Sequence, residues 1–165
     1  MNTDTMAQFI ALLEFGGLLG LVAAFILPSV RRHVAESSLS LAALVAVGAM
    51  LGSLAFSEIA DFVPCDFCWY QRIAMYPLAV ILIIAAVRGD SGIRPYALTV
   101  AGIGFALAAY HVQLQWFPEQ SSTCDVSNPC SGRWVESFGF VTIPQMSALA
   151  FALIIGLLTL PQEQQ

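Results

Sequence analysis

Five stretches of this chain contain no Asp, Glu, Lys or Arg: Phe15–Val30, Ser37–Ser57, Ile73–Val87, Pro95–Pro118 and Ser137–Gln162. No other feature restricts the fold so severely. A helix crossing ~30 Å of hydrocarbon needs ~20 mainly apolar residues, and only structures that satisfy their own backbone can cross. The second, fourth and fifth stretches reach that length unaided, and the first and third reach it by taking in Glu14 or Arg72 near an end. The sequence therefore predicts an all-α integral membrane protein, a single membrane domain over 1–165. Its helices are expected at about 8–27, 39–56, 69–87, 95–114 and 144–160. Only 10% of the side chains are charged, against roughly a quarter in soluble domains. Six arginines and no lysine leave no basic footprint for nucleic acid, which is excluded as a partner.

The arginines also orient the chain. Arg31, Arg32, Arg88 and Arg94 fall in the links after the first and third helices, whereas the two links that carry cysteines, about 57–68 and 115–143, add only Arg72 and Arg133. Positive residues concentrate on the cytoplasmic side. All four cysteines and the N-terminus are thus expected outside, and the C-terminus inside. The first segment has no basic stretch before it and no A-x-A-like site after it, so it is read as a mature helix and not as a secretion signal.

Within the helices, Gly16, Gly17, Gly20 and the Gly48-x-x-x-Gly52 motif offer small faces for close packing. Glu14 is the one charge of the first helix. It is either a functional carboxyl or, the preferred expectation, one that reaches interfacial water. Pro77 is expected to kink the third helix unless neighbours satisfy the freed carbonyl. Arg88-Gly-Asp-Ser-Gly-Ile-Arg94 reads as a turn.

The chemistry gathers at Pro64-Cys65-Asp66-Phe67-Cys68-Trp69-Tyr70-Gln71-Arg72. A Cys-x-x-Cys dithiol closes into a disulfide, and a helix start or a cation nearby lowers the pKa of its nucleophilic member. With a helix beginning here, Cys68 and Arg72 share a face at i, i+4, which would let the guanidinium favour a Cys68 thiolate. A second pair, Cys124 and Cys130, lies in the longest polar link, expected to be a mobile loop. Outward cysteines in two pairs suit disulfide chemistry in an oxidising compartment. Loop stapling is a competing reading, although a ring as small as Cys65–Cys68 restrains little chain. A zinc site built from the four sulfurs, in a membrane sensor without catalysis, is another.

The relay reading joins these features best. A soluble protein would reduce Cys124–Cys130, that pair would reduce Cys65–Cys68, and the latter would hand electrons to a lipid-soluble acceptor between helices. No haem or flavin motif is present, which makes a quinone the economical acceptor. His111 at the end of the fourth helix is either an interfacial polar residue or part of the acceptor pocket. Arg72 is either an interfacial cation paired with Asp66 or lipid, or a donor to a quinone oxygen. Trp69, Tyr70, Trp116 and Trp134 match an aromatic belt.

The Pro64–Arg72 stretch, followed by Met75-Tyr76-Pro77, strongly resembles the DsbB family of disulfide-bond-forming quinone reductases, and the short second pair resembles its BdbC branch. Tyr110-His111, Leu114-Gln115, Thr123-Cys124-Asp125, Phe138-Gly139 and Pro144-Gln145 extend the resemblance. It implies a four-helix redox bundle plus one extra N-terminal transmembrane helix, in a bacterial inner (plasma) membrane with the redox loops on the extracytoplasmic side. It also implies a soluble DsbA-like thioredoxin-fold oxidase as partner and ubiquinone or menaquinone as cofactor. By the same resemblance Cys68 is the quinone-proximal sulfur and Cys65 exchanges with the loop pair. Cys124 joins the oxidase transiently, Cys130 resolves the loop, and Arg72 and His111 lie at the quinone. Vitamin K epoxide reductase-like proteins share this chemistry and are the enzymatic alternative.

Overall fold

A computed structural model describes residues 3–120, 124–125 and 127–161; Thr123 of the matched loop motif and Gln162 of the last uncharged run lie outside them. Six helices follow one another: α1 (Thr3–Ile26), α2 (Pro28–Glu36), α3 (Ser38–Glu58), α4 (Asp66–Arg88), α5 (Arg94–Trp116) and α6 (Ile143–Thr159). Among the described residues there is no strand, only an isolated bridge between Ser137 and Val141. Four helical segments, Thr3–Ile26, Ser38–Glu58, Asp66–Arg88 and Ser91–Trp116, are long and apolar enough to cross a membrane, while Ile143–Thr159 is a shorter apolar helix.

Helices α3, α4, α5 and α6 close into a ring, each touching the next and α6 returning to α3. This is the expected four-helix bundle, and α1 packs outside it against α6. Because lipid is as apolar as leucine, close approach of small residues holds such helices together. The interior accordingly contains Ala42, Ala46, Ala79, Ala97, Ala101 and Ala108, with Leu78, Leu82, Phe151 and Ile154 filling the spaces between them. Large apolar side chains such as Leu19, Leu44, Ile73 and Val87 point outward, where acyl chains would cover them.

Of the glycines that the sequence offers for packing, only some are used. A side chain at Gly17 would meet Leu153 and one at Gly52 would meet Ile10, whereas Gly16, Gly20 and Gly48 face open space. The tightest approaches involve glycines elsewhere, with the Phe151 ring over Gly104 and Leu21 against Gly156.

Local signals set the helix ends. Asp90 accepts from the Gly92 amide in the turn before α5, and Thr142 with Gln145 forms a capping box at α6, satisfying otherwise orphaned amides. The link expected after the first helix is the short helix α2. Pro28 opens it, and Val30 and Val34, one turn apart, pack on the core while Arg32 and His33 are exposed. Helix α4 continues through Pro77. At one end of the bundle Arg94 donates to the Leu158 carbonyl at 2.7 Å and to Ser38 Oγ at 2.7 Å, joining the starts of α3 and α5 to the finish of α6. All four cysteines lie at the opposite end.

Candidate functional site

Cys65 is the N-cap of α4, with its sulfur accepting from the Cys68 amide at 3.4 Å. Helix therefore begins one residue after Cys65, and the Cys-x-x-Cys spacing stacks Cys68 over it, the two free sulfurs lying 2.8 Å apart. In the loop between α5 and α6 a disulfide joins Cys124 to Cys130. Cys65, Cys124, Cys130 and Leu114 form one buried cluster, with Phe67 and Cys68 packed against it.

The described residues of the loop, expected from its polarity to be mobile, are folded onto the bundle. Asn128 Nδ2 donates to the Val63 carbonyl at 3.3 Å, Gln115 Nε2 donates to the Gly132 carbonyl at 3.2 Å, and Thr142 Oγ1 donates to Gln115 Oε1 at 2.7 Å. The Trp134 ring lies 5.6 Å from that of Phe62. The first two bonds answer carbonyls of Val63 and Gly132, and together with Thr142 they hold the second cysteine pair over the first.

His111, only 2% exposed, stands between the two pairs. Its Nε2 lies 3.1 Å from the Cys130 carbonyl oxygen and 3.6 Å from Cys65 Sγ, and its Nδ1 lies 2.9 Å from Gln71 Nε2. A carbonyl oxygen only accepts and an amide nitrogen only donates. The hydrogen-bond network thus assigns the proton to Nε2, which is aimed at both pairs, and Gln71 fixes that tautomer. The Cys68 thiol's hydrogen bond pulls the Cys65 thiol below its ordinary range, down to about 5, against the opposing effect of burial, and His111 and the Cys68 amide add to the pull.

Sequence spacing assigned the charge of Arg72 to Cys68. In the fold, Arg72 Nε donates to Ser53 Oγ at 2.9 Å and Nη2 to the Ser53 carbonyl at 2.9 Å, and the guanidinium lies 5.2 Å from the Trp69 ring centroid. The hydrogen bonds that favour a thiolate converge on Cys65. Asp66, the suggested ion-pair partner of Arg72, accepts from the Asp125 amide at 3.4 Å.

Below the cysteines an apolar cavity opens between α1, α3, α4 and α6. Cys68, Arg72, Tyr76, His111 and Glu14 share its lining with Phe56, Met75 and Met146. Glu14, expected to reach interfacial water, is half-buried on the cavity wall, and its Oε2 is buried without a hydrogen-bond partner. The cavity offers what a quinone head requires: an apolar slot, a thiol at its mouth, guanidinium and hydroxyl groups on its wall, and an unanswered polar atom. The zinc reading fits less well, because two of its four sulfurs are bonded to each other. Cys65, Cys68 and His111 do hold donor atoms within 4.8 Å of one another.

All six sequence-predicted residues, Cys65, Cys68, Cys124, Cys130, Arg72 and His111, are thus at one end of the bundle. Reasoning along the chain missed Gln71, Ser53 and Gln115. Gln71 carried a signal: a buried amide one turn after Cys68 in a membrane helix needs a partner. Gln115 was named only as part of the resemblance, with no role, and Ser53 carried no signal, since its partner comes from another helix.

A family model described as disulfide bond formation protein DsbB matches residues 35–160. Disulfide bond formation protein C of Bacillus subtilis (strain 168) is 49% identical over 114 residues, 68% of this chain and 83% of the relative. A probable disulfide formation protein C 2 of Bacillus anthracis is 42% identical over 125 residues, 75% of this chain and 89% of the relative. A probable disulfide formation protein of Deinococcus radiodurans is 44% identical over 139 residues, 78% of this chain and 91% of the relative. No solved structure matches.

Proposed function

Because the chain belongs to the DsbB family of disulfide bond formation proteins, we propose that this multi-pass membrane protein reoxidises a soluble DsbA-like thioredoxin-fold oxidase and passes the electrons to ubiquinone or menaquinone. The observation that carries this reading is the stacking of a loop disulfide, a reduced helix pair and an apolar cavity at one end of the bundle. Electrons entering from water at the loop pass by disulfide exchange between two pairs packed in one cluster.

In this scheme a thiolate of the oxidase attacks Cys124, Cys130 leaves, and the oxidase's second thiol displaces Cys124, so the oxidase becomes a disulfide and the loop a dithiol. The loop dithiol then reduces a Cys65–Cys68 disulfide by the same exchange, with Cys65 as the sulfur attacked. That step leaves the loop oxidised and the helix pair reduced. The quinone, when bound, accepts two electrons and two protons, which Cys65 and Cys68 give up as they close their disulfide. Cys68 faces the cavity, which supports its place as the quinone-proximal sulfur. Arg72, with donors beyond the two committed to Ser53, orients a quinone oxygen and answers negative charge as it develops. His111 holds a donor on Cys65 and on the loop.

We place the cysteine end on the extracytoplasmic side of a bacterial plasma membrane. Arg31, Arg32, Arg88 and Arg94 in the links after α1 and α4 support this. The test is quinone reduction by the purified protein with a reduced thioredoxin-fold oxidase as donor. Stoichiometric oxidation of the donor with loss of quinone absorbance is expected, and absence of turnover with both benzoquinone and naphthoquinone acceptors would sink the reading.

A further inference from the structure

The family match begins at residue 35, so α1 lies outside it, yet α1 forms part of the wall of the cavity that holds Cys68 and Arg72. Its register against the bundle is fixed at several points. Leu21 sits against Gly156, Leu153 against Gly17 and Ile10 against Gly52. Ala7 and Ala11 are buried with Phe56 and Met146. Between these anchors Glu14 is the one carboxyl in the cavity lining, where the other titratable side chains are Cys68, Arg72, Tyr76 and His111. Two of the cavity's polar groups are already engaged, since Tyr76 Oη donates to Ser53 Oγ at 3.3 Å and Arg72 binds the same serine. Glu14 Oε2 is buried and meets no partner. Such a group in a membrane helix is costly unless something answers it.

Resting on the quinone reading above, we infer that α1 is part of the acceptor site and that Glu14 hydrogen-bonds the bound ring. A carboxyl suits both forms of that ligand: its hydroxyl donates to a quinone carbonyl, and its oxygens accept from a hydroquinone hydroxyl. On the α4 wall Arg72 only donates, and the cavity's other oxygens belong to neutral hydroxyl and amide groups such as those of Ser53, Tyr76 and Gln71. The added helix supplies the one carboxyl of the lining, and it gives the otherwise unassigned α1 a role beyond spanning lipid.

The test uses the full-length protein in nanodiscs, with a short-tailed benzoquinone and a short-tailed naphthoquinone as probes and tryptophan quenching as the binding signal. Losing one hydrogen bond weakens binding by ~3- to 10-fold. That loss is expected for Glu14→Leu, with Glu14→Gln, which keeps a donor and an acceptor, lying between it and wild type. In addition, the infrared difference spectrum on quinone binding should contain a carboxyl carbonyl band that disappears in Glu14→Gln. Wild-type affinity in both variants, or a difference spectrum unchanged in Glu14→Gln, overturns the role of Glu14. Failure of the wild-type protein to bind either probe overturns the quinone reading itself, and this inference with it. Should Glu14→Leu not fold, the infrared comparison with Glu14→Gln decides alone.

Discussion

Replacing His111 with leucine should raise the Cys65 pKa by about one unit. Nε2–H is shared between the Cys130 carbonyl at 3.1 Å and Cys65 Sγ at 3.6 Å. A hydrogen bond to a charged group contributes ~1.5–3 kcal/mol, and a shared, long one belongs at the lower end; ~1.4 kcal/mol is one pKa unit. Cys65 is held down to about 5 chiefly by the Cys68 thiol, so that larger contribution survives in the variant. A depressed pKa leaves the thiolate present above it and loses it as pH falls through it. The variant should therefore lose Cys65 reactivity at a pH about one unit higher, with the two proteins alike above about pH 8. Iodoacetamide alkylation, followed at the Cys65 peptide by mass spectrometry across this range, measures the midpoint. A Cys124→Ala, Cys130→Ala background removes the loop sulfurs and retains the backbone carbonyl at position 130, and fragment ions separate label on Cys65 from label on Cys68. Midpoints that coincide within a few tenths of a unit would refute the view that His111 donates to Cys65. Because leucine also strands the buried Gln71 amide, at ~1–3 kcal/mol of stability, His111→Gln provides a variant that keeps a donor.

Arg72→Met should lower quinone-dependent turnover by ~10²–10³ while leaving oxidase exchange at Cys124–Cys130 largely intact, with Arg72→Lys between it and wild type; wild-type kinetics at limiting quinone would return Arg72 to the role of an interfacial charge. Cys124→Ser should stop electron entry, whereas Cys68→Ser should still exchange with the oxidase but deliver nothing to quinone. A trapped mixed disulfide to the oxidase through Cys65 would invert that order. Gly156→Leu, which collides with Leu21, should displace α1 at a cost of ~1–3 kcal/mol. Thermal unfolding in nanodiscs would register this as a lower Tm, and an unchanged Tm would mean that α1 is not docked through this contact.

The fold was largely legible because in lipid the apolar run is itself the structural unit. The expected positions at about 39–56 and 95–114 lie inside α3 (Ser38–Glu58) and α5 (Arg94–Trp116). Resolution was lost where a helix is set by something other than an apolar run. Helix α2 is short and polar on one face, so a charge-based reading takes it for a link, although Pro28 and the Val30/Val34 spacing are helix signals. The packing glycines were identified by motif, yet the closest contacts are at Gly104 and Gly156, because a motif does not say which face meets a neighbour.

The site divides along the same line. Relations within one helix are set by pitch, and Cys65, Cys68 and Arg72 could be placed on successive turns of α4 from spacing alone. The direction of an individual side chain is set by its cross-helix partner. Ser53 on α3 takes two donors of Arg72, a partner that the spacing along α4 does not contain. Gln71 on α4 and His111 on α5 meet at 2.9 Å, a pairing that no one-dimensional period contains. That pairing decides which imidazole nitrogen carries the proton, and hence that the donor faces Cys65 and the loop. The polarity of the redox pair, with thiolate character at Cys65 and Cys68 turned to the cavity, thus arises chiefly from the Cys68 thiol's own hydrogen bond, and the Cys68 amide at the N-cap and the cross-helix contact with His111 add to it.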